Sequence, residues 1–275
     1  MNRKYTRFTA AILGAGLTAV TALAVGDKIV IDGSTTVGPI AKAFAEYYMG
    51  KNPSVNISVS ESGSGNGAKS LVNNACDVAT MSRPMKAKEK KAAEGAGILP
   101  VEHIVAMDGI AVIVHPSNPV ADLTVDKLRA IYTGTVKNWK ELGGPDADIV
   151  VISRDTNSGT YETFETLVMK KEKMAGKTEY VGSNGASRQR VTTTPAAIAY
   201  VGLAFTEGVK AITVDQVVAN HETVLNGKYV LARPLYMYTN GRVSDTTHVG
   251  RFLNLYRTAE GRRMIEDVGY VPLKN

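Results

Sequence analysis

Hydrophobic residues in this chain fall into short runs that alternate between strand spacing and helix spacing. Residues 29–31 form a β-branched run, and the apolar positions after it recur at helical spacing: Val37, Ile40, Ala41, Phe44 and Tyr48. A similar change of period follows residues 55–59 and residues 77–80. This order of strand, helix, strand, helix, strand and helix predicts an α/β fold with a parallel sheet flanked by helices.

The pattern changes after the third strand and helix. Residues 99–107 and 109–114 are two β-rich runs separated only by Asp108, and together they exceed the usual length of a strand. We expect the chain to cross there into a second lobe and to return near residue 210. The predicted division is lobe 1, residues 25–108 and 211–275, and lobe 2, residues 109–210, with a ligand cleft between them.

Further elements are predicted from the same periodicities. In lobe 2 they are a helix at 123–132, strands at 149–152, 180–181 and 197–201, and helices from 160 and from 184. The return segment contains a strand at 228–238, where Pro234 predicts an edge position or a bulge, and two closing helices near 245–256 and 261–268.

Three strand-to-helix joints are rich in hydroxyl and glycine residues. They are residues 32–36 (DGSTT), 61–67 (ESGSGNG) and 158–160 (SGT). The first turn of a helix presents unpaired N–H groups at the positive end of its dipole, which suits a tetrahedral oxyanion. A single joint could equally be an ordinary helix cap. Because ligands bind outside the carboxyl ends of strands in open α/β sheets, three such joints favour one shared anion site.

Arg154 follows the β-branched run 149–152 after Ser153 and precedes the third joint. Its planar guanidinium matches two oxygens of an oxyanion. The alternative is a structural salt bridge to Asp155 or Glu162.

The N-terminus has the pattern of a secretory signal peptide. Arg3, Lys4 and Arg7 precede a mostly apolar segment at 8–20, and residues 22–24 (ALA) match a cleavage site. We therefore expect residues 1–24 to be removed and the mature protein to be released in the periplasm, without a lipid-anchor cysteine near the cleavage site. The apolar segment is short for a membrane span and no later stretch qualifies, so stable membrane insertion is not expected.

Charge and cysteine content further narrow the classes of protein to which this chain can belong. The net charge of +6 falls to 6 − 3 = +3 without the three basic residues of the signal. The one dense basic run, residues 86–91, contains Glu89 and has no interleaved aromatic residue, so nucleic-acid binding is not expected. Cys76 is the single cysteine, which excludes an intrachain disulfide and favours a small buried hydrophobe.

Signals for an enzyme are weak. The four histidines are scattered singly, and no Cys/His cluster suggests a metal. Residues 176–178 (GKT) imitate the end of a phosphate-binding P-loop, but Lys171 stands where that loop requires glycine. No catalytic residue, cofactor or metal is therefore predicted.

A series of motifs makes the chain similar to a known family. They are residues 32–39 (DGSTTVGP), 62–67 (SGSGNG), 77–84 (DVATMSRP), 107–116 (MDGIAVIVHP), 131–134 (IYTG) with 138–144 (NWKELGG), 153–160 (SRDTNSGT), and 184–185 (NG) with 197–202 (AIAYVG). In this order they resemble the phosphate-binding proteins of bacterial phosphate ABC transporters, the PstS family, and in particular its shorter branch. The resemblance covers nearly the whole mature chain.

The resemblance implies a type II periplasmic binding-protein fold that closes on inorganic phosphate and delivers it to a membrane permease and its ATPase. A monomer is expected for that task. Carried over position by position, it implies these ligand-binding residues: Ser34, Thr35, Thr36, Ser64, Ser82, Arg83, Asp108, Arg154, Ser158, Gly159 and Thr160.

Asp108 is the residue expected to set anion selectivity. Phosphate retains a proton near neutral pH and can donate a hydrogen bond to a carboxylate, whereas sulfate cannot, so the carboxylate is expected to reject sulfate. A turn or hinge acid is the alternative. Three residues depart from the family pattern: Arg83, where the longer branch has an acid, Tyr161, where the shorter branch has Arg, and Ala199, in place of Gly. A binder of arsenate, sulfate or molybdate, or less plausibly a phosphate-ester hydrolase, remains as an alternative.

Overall fold

The computed structural model describes residues 27–274. The predicted signal peptide, residues 1–24, lies outside the described residues. The strands are β1 Lys28–Gly33, β2 Asn56–Ser60, β3 Val78–Met81, β4 Pro100–Val114, β5 Asp122–Leu123, β6 Val150–Arg154, β7 Glu179–Val181, β8 Ala197–Gly202, β9 Lys210–Val214 and β10 Ala232–Asn240. The α-helices are α1 Gly38–Lys51, α2 Ser64–Val72, α3 Ala87–Gly95, α4 Val125–Thr133, α5 Gly159–Leu167, α6 Asn184–Thr192, α7 His221–Leu225, α8 His248–Leu253 and α9 Ala259–Asp267.

The strands form one continuous hydrogen-bonded sheet in the order β2-β1-β3-β10-β4-β8-β6-β7, with β5 and β9 beside this path. The strands β1, β2 and β3 are mutually parallel, as are β6, β7 and β8. Between these two parallel groups, β10 and β4 pair antiparallel with their neighbours. The alternation of strands and helices along the sequence therefore produces two small parallel sheets, as the α/β prediction requires.

Strand β4 joins the two halves. Its first part, through Gly109, pairs with β10, and its second part, from Ile110 to Val114, pairs with β8. The change of partner occurs beside Asp108, where the sequence pattern breaks. A 15-residue strand is long because it serves two sheets in succession.

Each half has its own apolar core. Helix α1 buries the face predicted from its spacing against β1, β4 and β10, while α2 and β3 form an adjoining cluster with Cys76. In the other half, Trp139, Phe164 and Tyr200 lie in a cluster that also contains Ile110, Val112 and Val114 of β4. In α5, Phe164 is fully buried, whereas Leu167 is 37% exposed.

The chain returns to lobe 1 later than the predicted residue 211. Strand β9 pairs with Val112–Val114 of β4, and Ile212, Val224 and Leu231 belong to the core of lobe 2. The return comes with β10, from Ala232. Local periodicity could not reveal this because the pairing that keeps β9 in lobe 2 joins residues about one hundred positions apart.

Pro234 lies in a central strand and not at an edge. The register of β10 against β4 shifts between Leu235 and Tyr236, next to the proline, and β3 pairs with β10 only from Tyr236 onward. Because β3 does not pair with Pro234, the missing proline N–H costs no hydrogen bond to β3. Of the two predicted positions for Pro234, an edge strand or a bulge, the structure has the bulge.

Within residues 27–274, no helix is both long enough and apolar enough to cross a membrane.

Candidate functional site

The joint after β1 is shaped by a close contact with β3. A Cβ atom on Gly33, whose φ is +136°, would lie 2.2 Å from the carbonyl oxygen of Thr80, so only glycine fits there. The next residue, Ser34, is 2% exposed, and its Oγ accepts hydrogen bonds from the N–H groups of Thr36 (3.1 Å) and Val37 (3.3 Å). Both acceptor positions of this hydroxyl are occupied, which leaves its proton for donation.

The second joint links α2 to the end of β3. Ser64 is fully buried at the start of α2, and its Oγ accepts the N–H of Ser82 at 3.1 Å. The Oγ atoms of Ser64 and Ser82 are 3.3 Å apart. The two serines predicted from different motifs therefore lie side by side.

The third joint brings lobe 2 against the first two. Ser158 Oγ caps α5 by accepting the N–H of Tyr161 at 3.2 Å. A Cβ on Gly159 would lie 2.5 Å from the Oγ of Ser64 and 2.6 Å from that of Ser82. Only glycine allows the positive end of α5 to approach so closely. All three predicted joints thus meet at one place.

Thr160 extends this contact between the lobes. It is fully buried, and its Oγ1 lies 3.0 Å from the Oγ1 of Thr36 on the first joint. Hydroxyl groups from lobe 1 and lobe 2 therefore form a single cluster.

Arg154 lies beneath the cluster with only 1% of its side chain exposed. Its Nε donates to the carbonyl of Val181, and its Nη2 donates to the carbonyl of Gly182 and to Thr35 Oγ1 at 3.2 Å. Its Nη1 is buried without a hydrogen-bond partner among residues 27–274. Burial lowers the pKa of Arg154 to about 10.

Neither acid that could have neutralised Arg154 forms an ion pair with it, although the charge of Asp155 acts against the lowering of the Arg154 pKa by burial. Asp155 Oδ1 accepts the N–H of Asn157, and Glu162 pairs with Arg83 and Lys86. Taking a charge out of water costs several kcal/mol unless an opposite charge compensates. The structural alternative for Arg154, a salt bridge on its own joint, is therefore absent from the described part of the chain, and an anion would satisfy both its charge and its free N–H.

Asp108 is paired with an arginine that the sequence analysis did not single out. The Nε and Nη2 atoms of Arg233 lie 3.0 and 2.8 Å from Asp108 Oδ2, and the N–H of Leu203 donates to Oδ1 at 3.0 Å. Both side chains are buried, with exposures of 0% and 4%. Burial raises the pKa of Asp108, an effect that the Arg233 guanidinium opposes. Three donors therefore already occupy most of the acceptor positions of Asp108, which differs from the expectation that this carboxylate accepts a hydrogen bond from the anion.

Arg233 connects this ion pair to the hydroxyl cluster. Its Nη2 also donates to Thr160 Oγ1 at 2.9 Å, and its Nη1 donates to the carbonyl of Ser82 at 3.1 Å. Arg233 is the one charged residue in the otherwise apolar run 229–238, and a lone charge in a predicted strand was the signal that could have identified it.

Asn184 is the second residue that the sequence analysis missed as part of the site. It begins α6 and is fully buried, and its Nδ2 donates to Thr35 Oγ1 and Thr36 Oγ1, each at 3.0 Å. Its Oδ1 accepts the N–H of Gly202 at 3.2 Å. The sequence placed Asn184 in a motif but gave no indication of its contacts.

Arg83 is buried near the cluster, but its guanidinium is occupied elsewhere. It donates to both carboxylate oxygens of Glu89, at 2.7 and 2.8 Å, and its Nε lies 2.8 Å from Glu162 Oε2. These pairs with two carboxylates differ from the anion-binding role expected for Arg83. The physical reason is that two carboxylates already match its charge and its fork of donors.

The charge balance of the site follows from these contacts. Arg154 and Arg233 contribute two buried positive charges, and Asp108 contributes one negative charge, which leaves one positive charge uncompensated. Within residues 27–274, no group of three or more His, Cys, Asp or Glu side chains is placed to hold a metal ion. The site is built from hydrogen-bond donors and is suited to a small anion.

A two-lobed sheet with donor-rich joints meeting between the lobes defines the class of type II periplasmic binding proteins. The comparisons agree: residues 18–255 match the model of the PBP superfamily domain. The chain is 31% identical to the phosphate-binding protein PstS of Bacillus subtilis over 250 residues, covering 90% of this chain and 81% of the relative. It is 32% identical to protein SphX of Synechococcus elongatus over 261 residues, covering 89% and 77%.

Solved structures give the same result. A candidate phosphate ABC transporter substrate-binding protein from Clostridium perfringens, crystallised with bound phosphate, has a TM-score of 0.83 and 35% identity, covering 90% of this chain and 100% of that one. This chain belongs to the PstS family of phosphate-binding proteins within the PBP superfamily. The family resemblance and the fold class predicted from the sequence are both confirmed.

Proposed function

We propose that this protein captures one inorganic phosphate ion between its lobes and delivers it to the permease and ATPase of a phosphate ABC transporter. The observation that carries the proposal is Arg154, a cation with 1% exposure, no acidic partner in the described chain, and a free Nη1 donor within the hydroxyl cluster. The relatives named above supply the identity of the anion.

The remaining donors suit the four oxygens of phosphate. The hydroxyl groups of Ser34 and Thr35 have their acceptor positions filled and can only donate outward. By helix geometry, the first N–H groups of α5 at Gly159 and Thr160 lack intrahelical partners and lie at the positive end of the helix. A phosphate mono- or dianion would compensate the one unbalanced positive charge.

Delivery requires that the site come apart. Its groups belong to both lobes, since Thr36 contacts Thr160 and Arg154 contacts Thr35 across the cleft. Opening the lobes would separate these contacts and lower the affinity at the permease. A monomer containing one such cleft, exported to the periplasm by the predicted signal peptide, meets this requirement.

Binding without catalysis fits the chemistry of the cluster. A hydroxyl nucleophile needs a general base within reach. His103 contacts Thr239, His115 contacts Ser117 and His248 contacts Tyr48, so these rings have partners outside the cluster. The hydroxyls of the site instead receive hydrogen bonds from cationic and amide donors, which cannot remove a proton.

Isothermal titration calorimetry of the mature protein with phosphate, arsenate and sulfate at pH 7 tests the proposal. We expect one phosphate per chain, with arsenate as a competitor because it carries protons as phosphate does. Stronger binding of sulfate or molybdate than of phosphate would overturn phosphate as the cargo. Sustained hydrolysis of p-nitrophenyl phosphate that disappears in Arg154→Met would instead establish an enzyme.

A further inference from the structure

The direction of the hydroxyl protons in the cluster is determined by groups that can only donate. Thr35 Oγ1 accepts from Arg154 Nη2 at 3.2 Å and from Asn184 Nδ2 at 3.0 Å, which uses both of its acceptor positions. Thr36 Oγ1 accepts one bond from the same Asn184 nitrogen, also at 3.0 Å, and its second contact is Thr160 Oγ1, where either hydroxyl can donate. A serine or threonine hydroxyl can ordinarily donate or accept a hydrogen bond. Because both acceptor positions of Thr35 are filled, its hydroxyl can form a further hydrogen bond only by donating its proton.

The orientation of the Asn184 amide is determined by the backbone. The N–H of Gly202 can only donate, so the Asn184 atom that it contacts at 3.2 Å must be the carbonyl oxygen Oδ1. The NH₂ group then necessarily faces the two threonines, and each of its two protons serves one hydroxyl. Asn184 is fully buried, so water does not compete for these bonds.

We infer that Asn184 is a positioning residue that, together with Arg154, makes the hydroxyl group of Thr35 an obligate donor, and that it thereby sets the protonation state of the anion that the cleft prefers. This inference rests on the proposed function and deepens it. Asn184 acts through the threonines and is not assigned a contact with the anion.

The consequence is a preference for the more highly ionised anion. A donor hydroxyl binds a charged oxygen well and faces a P–OH group poorly, since two protons then oppose each other. The cluster also carries one uncompensated positive charge. Total phosphate affinity should therefore rise between pH 6 and pH 8 as the dianion replaces the monoanion.

The variant Asn184→Asp reverses the polarity without changing the shape. One carboxylate oxygen keeps the Gly202 N–H, while the other now accepts from Thr35 and Thr36 and turns their protons away from the anion. We expect phosphate affinity to fall at least 100-fold at pH 8 and much less at pH 6, so that the slope with pH changes sign.

Ser183→Asp is the matched control. It adds the same charge one residue earlier, and aspartate can replace the Ser183 hydroxyl that caps α6 by accepting the N–H of Ala186. We expect a loss below tenfold with the slope of the unsubstituted protein. Equal losses in the two variants, or a parallel pH profile in Asn184→Asp, would overturn the inference.

Neutral substitutions keep the inference testable if Asn184→Asp does not fold. In a double-mutant cycle, Thr35→Val should weaken binding at least fivefold less in an Asn184→Ala background than alone, because the threonine has lost the donor that orients it. Ser64→Ala, at a residue whose hydroxyl contacts Ser82 and not Asn184, should give additive losses. Additivity in the Thr35 cycle would refute the positioning role.

These results separate the two proposals. If the unsubstituted protein binds phosphate and the Asn184 variants keep its pH profile of affinity, the inference about Asn184 is refuted and the proposed function stands. Absence of binding to any oxyanion by the unsubstituted protein removes the proposed function, and the inference with it.

Discussion

Arg154 and Arg83 are two buried arginines at the same boundary between the lobes, yet they have opposite surroundings. Their exposures are 1% and 6%, and both were predicted to bind the anion. Arg83 is matched by the carboxylates of Glu89 and Glu162, whereas Arg154 is held by carbonyl oxygens and one hydroxyl. The residue type alone therefore does not define a binding group, because the local balance of charge decides which arginine requires a ligand.

The comparison also assigns a task to Arg83. Glu162 lies on α5 in lobe 2, while Arg83 and Lys86 lie in lobe 1, so the ion pairs of 2.8 and 2.6 Å join the two lobes beside the anion site. Because these charges are already paired, they can hold the lobes together without contacting the anion. Arg154 is expected to control affinity, and Arg83 is expected to control closure.

Replacing Arg154 should produce the largest effect on binding. Truncating one partner of a buried, charge-assisted contact costs about 2–5 kcal/mol, so we expect Arg154→Met to lower phosphate affinity at least about 30-fold by calorimetry. Without phosphate, its melting temperature should stay the same or rise, since an unpaired buried cation has been removed. Arg83→Met should instead lower the free energy of unfolding and reduce phosphate affinity less than tenfold. Equal losses of affinity in the two variants would contradict the different roles of Arg154 and Arg83.

The Asp108–Arg233 pair should dominate stability. Breaking a buried ion pair by removing one charge costs about 3–5 kcal/mol, and we expect a loss of this size for Asp108→Asn in urea unfolding without phosphate. The half-buried Asp155, which accepts a backbone N–H, provides the control: Asp155→Asn should lose about 1 kcal/mol or less. A stable Asp108→Asn protein that gains affinity for sulfate would show that the carboxylate checks the anion proton, as first expected.

Glu162→Gln should have an intermediate effect, and it should appear in the rate of phosphate release. The substitution removes both ion pairs between the lobes, and at about 1 kcal/mol we expect roughly fivefold faster phosphate release. Stopped-flow fluorescence of Trp139, the only tryptophan, offers the measurement. Glu89→Gln makes the same chemical change on the same arginine but within lobe 1, so its release rate should change less than twofold. Equal acceleration in both variants would exclude the closure role.

The smallest effect is expected for Glu89→Gln, in the pH dependence of the free energy of unfolding. Burial acts to raise the pKa of Glu89, but hydrogen bonds from Arg83 and Lys86 hold it below its ordinary value. Because its folded-state pKa is depressed, its contribution to stability is present above about pH 4.3 and is lost as the pH falls through the folded value. The unfolding free energies of the unsubstituted protein and Glu89→Gln should differ by about 1 kcal/mol or less at pH 7 and converge below about pH 4. A difference independent of pH would mean that packing, not charge, is responsible.

Much of the fold was predictable because its signals are local. The change from strand to helical spacing identified the elements around α1, α2 and α5, and the break at Asp108 located the long strand β4. The joints were recognisable by their hydroxyl and glycine residues, and the structure shows that close packing requires glycine at Gly33 and Gly159. By contrast, the assignment of β9 to lobe 2 depended on pairing with a distant part of β4.

For the site, the order of residues determined which polar groups lie at strand ends. The first two joints follow the adjacent parallel strands β1 and β2, so their helix starts gather at one edge of the sheet. The third joint follows β6 in the other parallel group, and the packing of the lobes brings it to the first two. The presence of an arginine at the end of β6 similarly follows from the order of residues.

Only the tertiary structure decided what each polar group contacts. Asp108 and Arg233 are 125 residues apart, and Asn184 lies 148 residues from Thr36, so no local spacing could pair them. Whether a buried charge or hydroxyl is satisfied depends on every neighbour within hydrogen-bond distance, and those neighbours come from both lobes. The sequence by itself determined that donors would converge at the cleft, and the packing of the lobes determined which of them remain available to an anion.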